Sequence, residues 1–441
     1  MLLEGWGRYP RHESKPLAAR AGLHELGHLV SQHQGLVARG NGRAYGDAAI
    51  GEDATLLMRG LDRMKAFDEE ACLLTVEGGV LLGDIIETFL PRGFFLPVVP
   101  GTKFVTVGGA IAADVHGKNH HRDGGFGATV HSLRLVLPSG QTVTCSPSEN
   151  GELFRATIGG MGLTGAIAEA TIRLRRVETS FIRQQTSVAP NLSAALAALD
   201  AADEVTYSVA WIDCLAGGAA LGRSLIYAGE HASAEEVVDG KERLAVAASK
   251  RLSVPVDLPG WTLNRASVMA FNELYFRRGS AAGREHTLVQ YEPYFFPLDG
   301  VGQWNRIYGK RGFLQHQCVV PPDNAEAVLS EILARFARSG KASFLAVLKK
   351  LGEGSGMLSF PMRGYTLALD VQVSEEIFPL LDEIDSLVAR AGGRLYLAKD
   401  ARQSRATFEQ GYPELEAFRQ VRRSIGAEGH ITSKLSRRLG I

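Results

Sequence analysis

Apolar residues recur at helical spacing between positions 16 and 35, where Leu17, Ala18, Leu23, Leu26, Leu29 and Val30 share a face and a glycine ends the run. This periodicity predicts a helix over 16–35. Short β-type runs follow at 35–39, 56–58 and 73–77, and a second helix is predicted at 81–90, stopped by Pro91. Residues 94–99 read as extended, 133–137 as a strand, and 170–175 alternates apolar and polar with period two. From about residue 178 longer helices are predicted, at 192–201, 233–250, 325–338 and 375–391, alternating with strands at 344–349 and 365–371. Ser233 and Glu236 have the capping-box spacing, which marks one helix start. Between 252 and 300 prolines and aromatics show little periodicity, a texture typical of lids and binding loops. An arginine-rich closing helix is predicted over 411–428. The pattern as a whole is α+β.

Composition narrows the function. A chain of 441 residues favours two or three domains, and 45% hydrophobic with 22% charged residues is ordinary for a folded protein. The 48 basic and 48 acidic side chains cancel, so no long-range positive field gathers nucleic acid. Cys72, Cys145, Cys214 and Cys318 are scattered without a CxxC pair, which suggests neither a zinc site nor a disulfide framework and fits a reducing compartment. Glu4 and Arg8 stand where a signal peptide needs an apolar core, and no apolar run is long enough to span a bilayer. A cytoplasmic location is expected, with the aromatics of 261–296 the candidates for peripheral contact with a membrane.

The fifty glycines are above the usual share, and in the first half they concentrate in three loops, at 38–47, 100–110 and 158–167. Glycine admits positive φ and lets successive amides converge on an anion, so such loops suit a dinucleotide pyrophosphate; each alone also reads as a tight turn. Gly160-Met-Gly-Leu-Thr-Gly165 matches the Rossmann fingerprint as a bare pattern, but the residues after it have strand periodicity where the fingerprint needs a helix. A parallel Rossmann sheet is therefore disfavoured. His24-Glu-Leu-Gly-His28 fits the zinc-hydrolase HExxH pattern, yet no third ligand follows at the usual spacing. His116, His120 and His121 lack a cysteine partner. No metal is expected.

The order of the three loops, with Asp114-Val-His-Gly-Lys-Asn-His-His121 after the second, resembles the FAD-binding domain of the vanillyl-alcohol oxidase and lactone oxidase superfamily. Nearly the whole chain is similar to the flavoprotein subunits of decaprenylphosphoryl-ribose epimerases, through Gly5-Trp-Gly-Arg8, Trp304-Asn-Arg-Ile-Tyr-Gly309, Gly312-Phe-Leu-Gln-His-Gln317, Ser343-Phe-Leu345 and Gly393-Arg-Leu-Tyr-Leu-Ala-Lys-Asp-Ala-Arg402. The resemblance implies a two-subdomain FAD-binding domain over 1–177, an α+β substrate domain with antiparallel sheet over 178–393, and a segment, 394–441, that returns to the FAD domain. It implies FAD contacts at Arg39, Gly40, Asn41, Gly42, Arg43, Ala44, Tyr45, Gly46 and Asp47, at Gly101, Thr106, Val107, Gly108 and Gly109, at Ala113, Asp114, Val115 and His116, and at Ile167 and Tyr396. Arg43 stands where many sugar-alcohol oxidases have a flavin-linked histidine, so non-covalent FAD is expected.

The implied reaction oxidises the 2'-hydroxyl of a polyprenyl-phosphate-linked ribose to a 2'-keto sugar. A separate NAD(P)H-dependent short-chain reductase then completes epimerisation to arabinose. Hydride leaves to FAD and a protein base takes the proton. Lys399 is the first candidate base and Tyr45 the second, with His116 beside the ring; Tyr308, Gln315, Gln317, Lys349 and Lys399 line the substrate side, and Lys349 is alternatively a phosphate ligand. Gly364-Tyr-Thr-Leu-Ala-Leu-Asp370 carries Ala368 where some family members have a reactive cysteine. The alternatives are an alditol or aldonolactone oxidase using dioxygen, and a ligand-binding subunit with vestigial flavin loops.

Overall fold

The computed structural model describes residues 1–20, 22–237, 242–247, 252–281, 286–341 and 344–441. Three sheets organise these residues. The first is a small parallel sheet in the order Lys15–Ala18, Ala54–Leu57, Leu36–Arg39. The second is a five-stranded antiparallel sheet, ordered Thr142–Cys145, Val130–Val136, Ala166–Arg173, Leu73–Glu77 and Met64–Asp68. The third has eight antiparallel strands: Thr287–Gln290, Phe181–Ala189, Ser224–His231, Tyr207–Ile212, Ala346–Leu351, Gly364–Gln372, Phe313–Val320 and Arg394–Leu395. Antiparallel pairing dominates, so the architecture is α+β and the glycine loop at 158–167 runs into an antiparallel strand.

The large sheet positions the site. Phe313–Val320 is buried at every position, because both of its faces are covered. Leu314 and Cys318 join a core with the helices Leu192–Ala201, Pro322–Ser339 and Ile377–Arg390, and His316 on the same face bonds Asp385 of the last helix at 2.9 Å. Period-two alternation then turns Gln315 and Gln317 to the opposite face. On neighbouring strands the same alternation gives that face Val347 and Lys349, Ala368 and Asp370, and Trp211.

The C-terminal residues close over the N-terminal half. Ile431 pairs with Leu36, Ser433 with Gly51, and Arg438 of the helix Lys434–Leu439 reaches Asp47 and Asp400, each at 3.0 Å. One guanidinium thus ties the first glycine loop to the residue next to Lys399.

Several elements differ from their sequence reading. The helix expected over 16–35 is a strand, Lys15–Ala18, followed by a shorter helix, Leu23–Gln32. Pro16 biases its predecessor to extended backbone and supplies no amide, which suits a strand start. The helix expected over 233–250 is a single 3-10 turn, Ala234–Glu236, although its capping box forms; 238–241 and 248–251 lie outside the described residues. The 252–300 stretch contains a 17-residue helix, Arg265–Ala281, whose apolar residues are spread around its axis and so give no helical period. The closing helix is two, Arg405–Gly411 and Leu415–Ser424, broken at Pro413. His24 and His28 stand exposed on their helix, where Glu25 accepts the Arg20 amide at 2.8 Å.

Replacing Arg438 by alanine leaves the buried carboxylates of Asp47 and Asp400 without their shared cation. A loss of about 3 kcal/mol of stability is expected, read as an earlier chemical-denaturation midpoint together with weaker FAD retention.

Candidate functional site

A cavity of about 570 Å³ lies between the glycine loops and the exposed face of the large sheet, within the usual size of small-molecule sites. Gly40, Asn41, Gly42, Arg43, Ala44 and Tyr45 line it from the first loop, Gly101, Thr106, Gly108 and Gly109 from the second. Ala113, Val115, His116, Ile167 and Tyr396 add to this wall, and Gln315, Gln317, Lys349 and Lys399 form the opposite one. The structure therefore brings most of the sequence-derived positions into one space. Arg39, Gly46, Asp47, Val107, Asp114 and Tyr308 do not line it.

Each of those six has a structural reason to sit behind the wall. Arg39 donates to the carbonyls of Glu4 and Ala49, at 2.7 and 3.3 Å. A Cβ on Gly46 would lie 2.0 Å from the Asp400 carbonyl oxygen, so glycine there allows two segments to touch. Asp47 is held by Arg438. The Val107 amide is spent on the Val80 carbonyl. Asp114, at φ 38°, accepts from the Gly127 amide at 2.9 Å and the Ser359 hydroxyl at 2.5 Å, clamping the second loop to the 355–359 segment. Tyr308 stacks on Phe313 with centroids 4.3 Å apart and donates to Asp370 at 3.5 Å.

The three glycine loops are not equivalent. In the second, the Gly108 amide bonds the Gly78 carbonyl and the Gly109 amide the Thr106 hydroxyl; in the third, the Gly159 and Met161 amides bond the carbonyls of Ile111 and Ala112. These glycines serve close packing: a Cβ on Gly160 would meet the Ala156 carbonyl oxygen at 2.0 Å. The first loop lines the cavity with six consecutive residues, Gly40 to Tyr45, and is held from behind where the Tyr45 amide bonds the Ala398 carbonyl and the Ala44 carbonyl accepts from Trp6.

Burial sets the electrostatics. Desolvation, reinforced by Lys349, Lys399 and His120, pushes the His116 imidazole well below its ordinary value. His116 Nε2 lies 2.9 Å from the Gln317 amide nitrogen and accepts its hydrogen, which puts the ring proton on Nδ1. Nδ1 is buried without a protein partner. Desolvation and the nearby Lys349 bring Lys118 down to about 7, and desolvation brings Lys349 down to about 8. Lys118 donates to the Tyr294 carbonyl and sits 4.2 Å from that ring's centroid. Neither lysine forms an ion pair among the described residues.

Lys399 Nζ lies 3.5 Å from the Tyr45 ring centroid. Burial lowers its ammonium, opposed by the charge of Asp370 and aided by Lys349. Burial raises the Asp370 carboxyl, which accepts from Gln315 Nε2 at 2.5 Å. Tyr45 is raised well above an ordinary phenol, first by desolvation and then by Asp370. Lys118, Asp370 and Trp211 were missed by sequence reasoning; Lys118 and Asp370 had a signal, since they lie inside the Asp114–His121 and Gly364–Asp370 motifs.

The residue set fits a flavin nucleotide: a glycine-edged end for phosphates, an apolar wall for a ring, and the His116 imidazole on the lining with its Nδ1 buried and without a hydrogen-bond partner. A family model for an FAD binding domain matches residues 25–146. The chain is 38% identical over 414 residues, 92% of this chain and 89% of the relative, to decaprenylphosphoryl-beta-D-ribose oxidase of Mycolicibacterium smegmatis. The chain belongs to that oxidase family. It is an FAD-dependent oxidoreductase. An uncharacterized Streptomyces coelicolor protein from the mprA 5' region is 36% identical over 82% of this chain and all of its own length. L-gulonolactone oxidase of Mus musculus is 29% identical over 36% of each chain, a more distant relation. No helix among the described residues is long and apolar enough to cross a membrane.

Ala368 faces the cavity between Val347 and Gln317, and none of the four cysteines lines it. Inhibitors that depend on an active-site thiol are expected to leave the intact mass unchanged. Acid precipitation is expected to release all the flavin into solution, since Arg43 replaces the linking histidine.

Proposed function

We propose that this oxidoreductase converts the 2'-hydroxyl of a polyprenyl-phosphate-linked ribose to the 2'-keto sugar. The observation that carries the reading is the pair of buried cations, Lys118 and Lys349, lacking a carboxylate partner among the described residues, in a cavity whose outer wall is Trp211, Tyr227, Phe271, Tyr275 and Phe344. Buried charge is tolerated when a counter-ion completes it, and a sugar bearing a phosphate and an apolar chain brings both. A free alditol or lactone brings neither. The substrate named for the mycobacterial relative has this chemistry.

On this reading residues 1–177 form a two-subdomain flavin-binding unit of the vanillyl-alcohol oxidase type, 178–393 the substrate domain, and 394–441 the segment that returns to the flavin. Gly40 to Ala44 hold the diphosphate through their backbone, while Gly101, Thr106, Ala113, Val115, Ile167 and Tyr396 enclose the nucleotide. Bound FAD supplies the hydride acceptor. Lys399 in its neutral form takes the hydroxyl proton, and Asp370 and the Tyr45 ring hold it in place. Tyr45 stays protonated at neutral pH and donates a contact. Gln317 donates to His116 Nε2 and so fixes the tautomer with the proton on Nδ1; Gln315 bridges to Asp370. Lys349 and Lys118 bind the phosphate. Reduction of the ketone to arabinose falls to a separate NAD(P)H-dependent reductase.

Mixing the protein anaerobically with a polyprenyl-phosphoryl ribose is expected to bleach the flavin band. Bleaching by a free alditol but not by the phosphoryl sugar would sink the assignment. The base must be neutral, so the reduction rate is expected to rise with pH and level off well below the ordinary lysine value. The phosphate ligands must be charged, so affinity is expected to fall as pH passes from about 7 to about 8. Lys349→Ala should raise KM roughly 10- to 100-fold with a smaller change in kcat. Lys399→Met should slow reduction by about 100-fold or more with FAD still bound.

A further inference from the structure

Among the described residues ten large apolar side chains stand exposed, and seven of them fall within residues 252–275: Leu252, Val256, Trp261, Met269, Phe271, Leu274 and Tyr275. Such a concentration on a folded protein marks an interaction surface, since scattered exposed apolar residues are normal and clustered ones are not. Trp261 is 76% exposed and Leu274 68%.

The patch is joined to the cavity. Phe271 and Tyr275 are exposed and also line the cavity, and the Tyr275 ring lies 4.8 Å from Trp211 on the sheet. Phe271 packs edge-on against Phe344 at 5.7 Å. The helix Arg265–Ala281 that carries them buries only Val268 and Asn272. It borders the cavity through Phe271 and Tyr275 and exposes Met269 and Leu274, while Phe276 is half-buried beneath Arg223. Its charges are three arginines, Arg265, Arg277 and Arg278, against one glutamate, Glu273. That glutamate is held by Arg223 and Arg277 at 2.7 and 2.5 Å. The helix is thus positive in a chain whose formal charge is zero. Exposed tryptophan and leucine with arginine beside them suit the boundary of a bilayer, where the apolar side chains enter at headgroup level and the guanidiniums meet anionic headgroups.

We infer that residues 252–278 form a docking surface for an anionic phospholipid bilayer, with Trp261 and Leu274 entering the headgroup boundary, Arg265 and Arg278 meeting the headgroups while Arg8 neutralises Asp257, and the Phe271–Tyr275 edge opening the cavity toward the lipid. The direction of opening rests on the reading above, in which the substrate carries an apolar chain held in a membrane. Docking the mouth on the bilayer lets the sugar phosphate reach Lys118 and Lys349 while the chain stays in lipid.

Co-sedimentation of the full-length flavoprotein with large unilamellar vesicles tests this, using phosphatidylcholine alone and phosphatidylcholine mixed with phosphatidylglycerol. Binding to the anionic vesicles and weak binding to the neutral ones is expected. The double variant Trp261→Glu, Leu274→Glu should lose about tenfold or more in vesicle affinity. It should keep its FAD and be bleached at the wild-type rate by a soluble short-chain phosphoryl ribose. Leu274→Gln, a milder change, should give an intermediate loss if the double variant folds poorly. Wild-type protein that ignores both vesicles, or a folded double variant that binds as tightly, overturns the proposal. A dimer dispersed by the variant, with no vesicle binding, assigns the patch to a second copy and overturns it also. Vesicle binding that depends on Trp261 and Leu274, without bleaching of either protein, supports the docking surface and counts against the substrate reading alone.

Discussion

A lysine drawn out of water must meet an anion, meet an oriented dipole, or lose its proton, and the cavity imposes that choice three times. Lys118 has the carbonyl and ring face of Tyr294. Lys399 has the ring of Tyr45 and the charge of Asp370. Lys349 has neither a hydrogen bond nor an ion pair among the described residues and adds its charge to the field that lowers the other two. The arrangement is costly for a protein that binds nothing anionic. It becomes favourable when a phosphate enters, and that gain is available only because the surrounding wall excludes water.

Holding the three ammonium groups together is the task of the fold. Lys349 is fixed by strand alternation, since the side chains at 346 and 348 are committed to the helix-backed core. Lys118 follows a segment clamped through Asp114 to Ser359. Lys399 precedes Asp400, which Arg438 binds to the same cation as Asp47. Lys118 and Lys399 are thus anchored through neighbouring residues that make buried polar contacts, and Lys349 through apolar strand neighbours packed in the core. The polar residues behind the wall are not spectators: removing one moves a lysine.

Much of this was legible in the sequence, and unevenly so. The long helices at 192–201 and 325–338 and the strand at 73–77 carried clear periods and stand where expected. The strand Phe313–Val320 has polar residues at 315, 316 and 317, which obscure its period because both faces are buried for different reasons. The helix Arg265–Ala281 was invisible because its apolar residues do not face one core. Ser343 of one family motif lies outside the described residues. The glycine loops mark one wall of the cavity, but the motif could not reveal that all three of them spend amides on protein carbonyls. Asp370 ends a segment noted in the sequence for Ala368, but its part in the site is visible only once Gln315 and Tyr308 are seen to converge on it.

Sequence left the base open between Lys399 and Tyr45, and the sign of desolvation favours one. Withdrawal from water disfavours whichever form is charged. For a phenol the charged form is the base, so burial pushes Tyr45 well above its ordinary value and away from proton abstraction. For an amine the charged form is the acid, so the same burial lowers Lys399 and makes the neutral amine accessible near neutrality. Asp370 acts on the two differently: its negative charge adds to the burial that raises Tyr45, leaving still less phenolate, and opposes the burial that lowers Lys399, restoring some affinity of the amine for a proton. A base needs enough affinity to take a proton and enough neutral population to be ready for it. A buried lysine beside a single carboxylate meets both demands, whereas the phenolate of a buried tyrosine beside the same carboxylate has the affinity but almost no population at neutral pH.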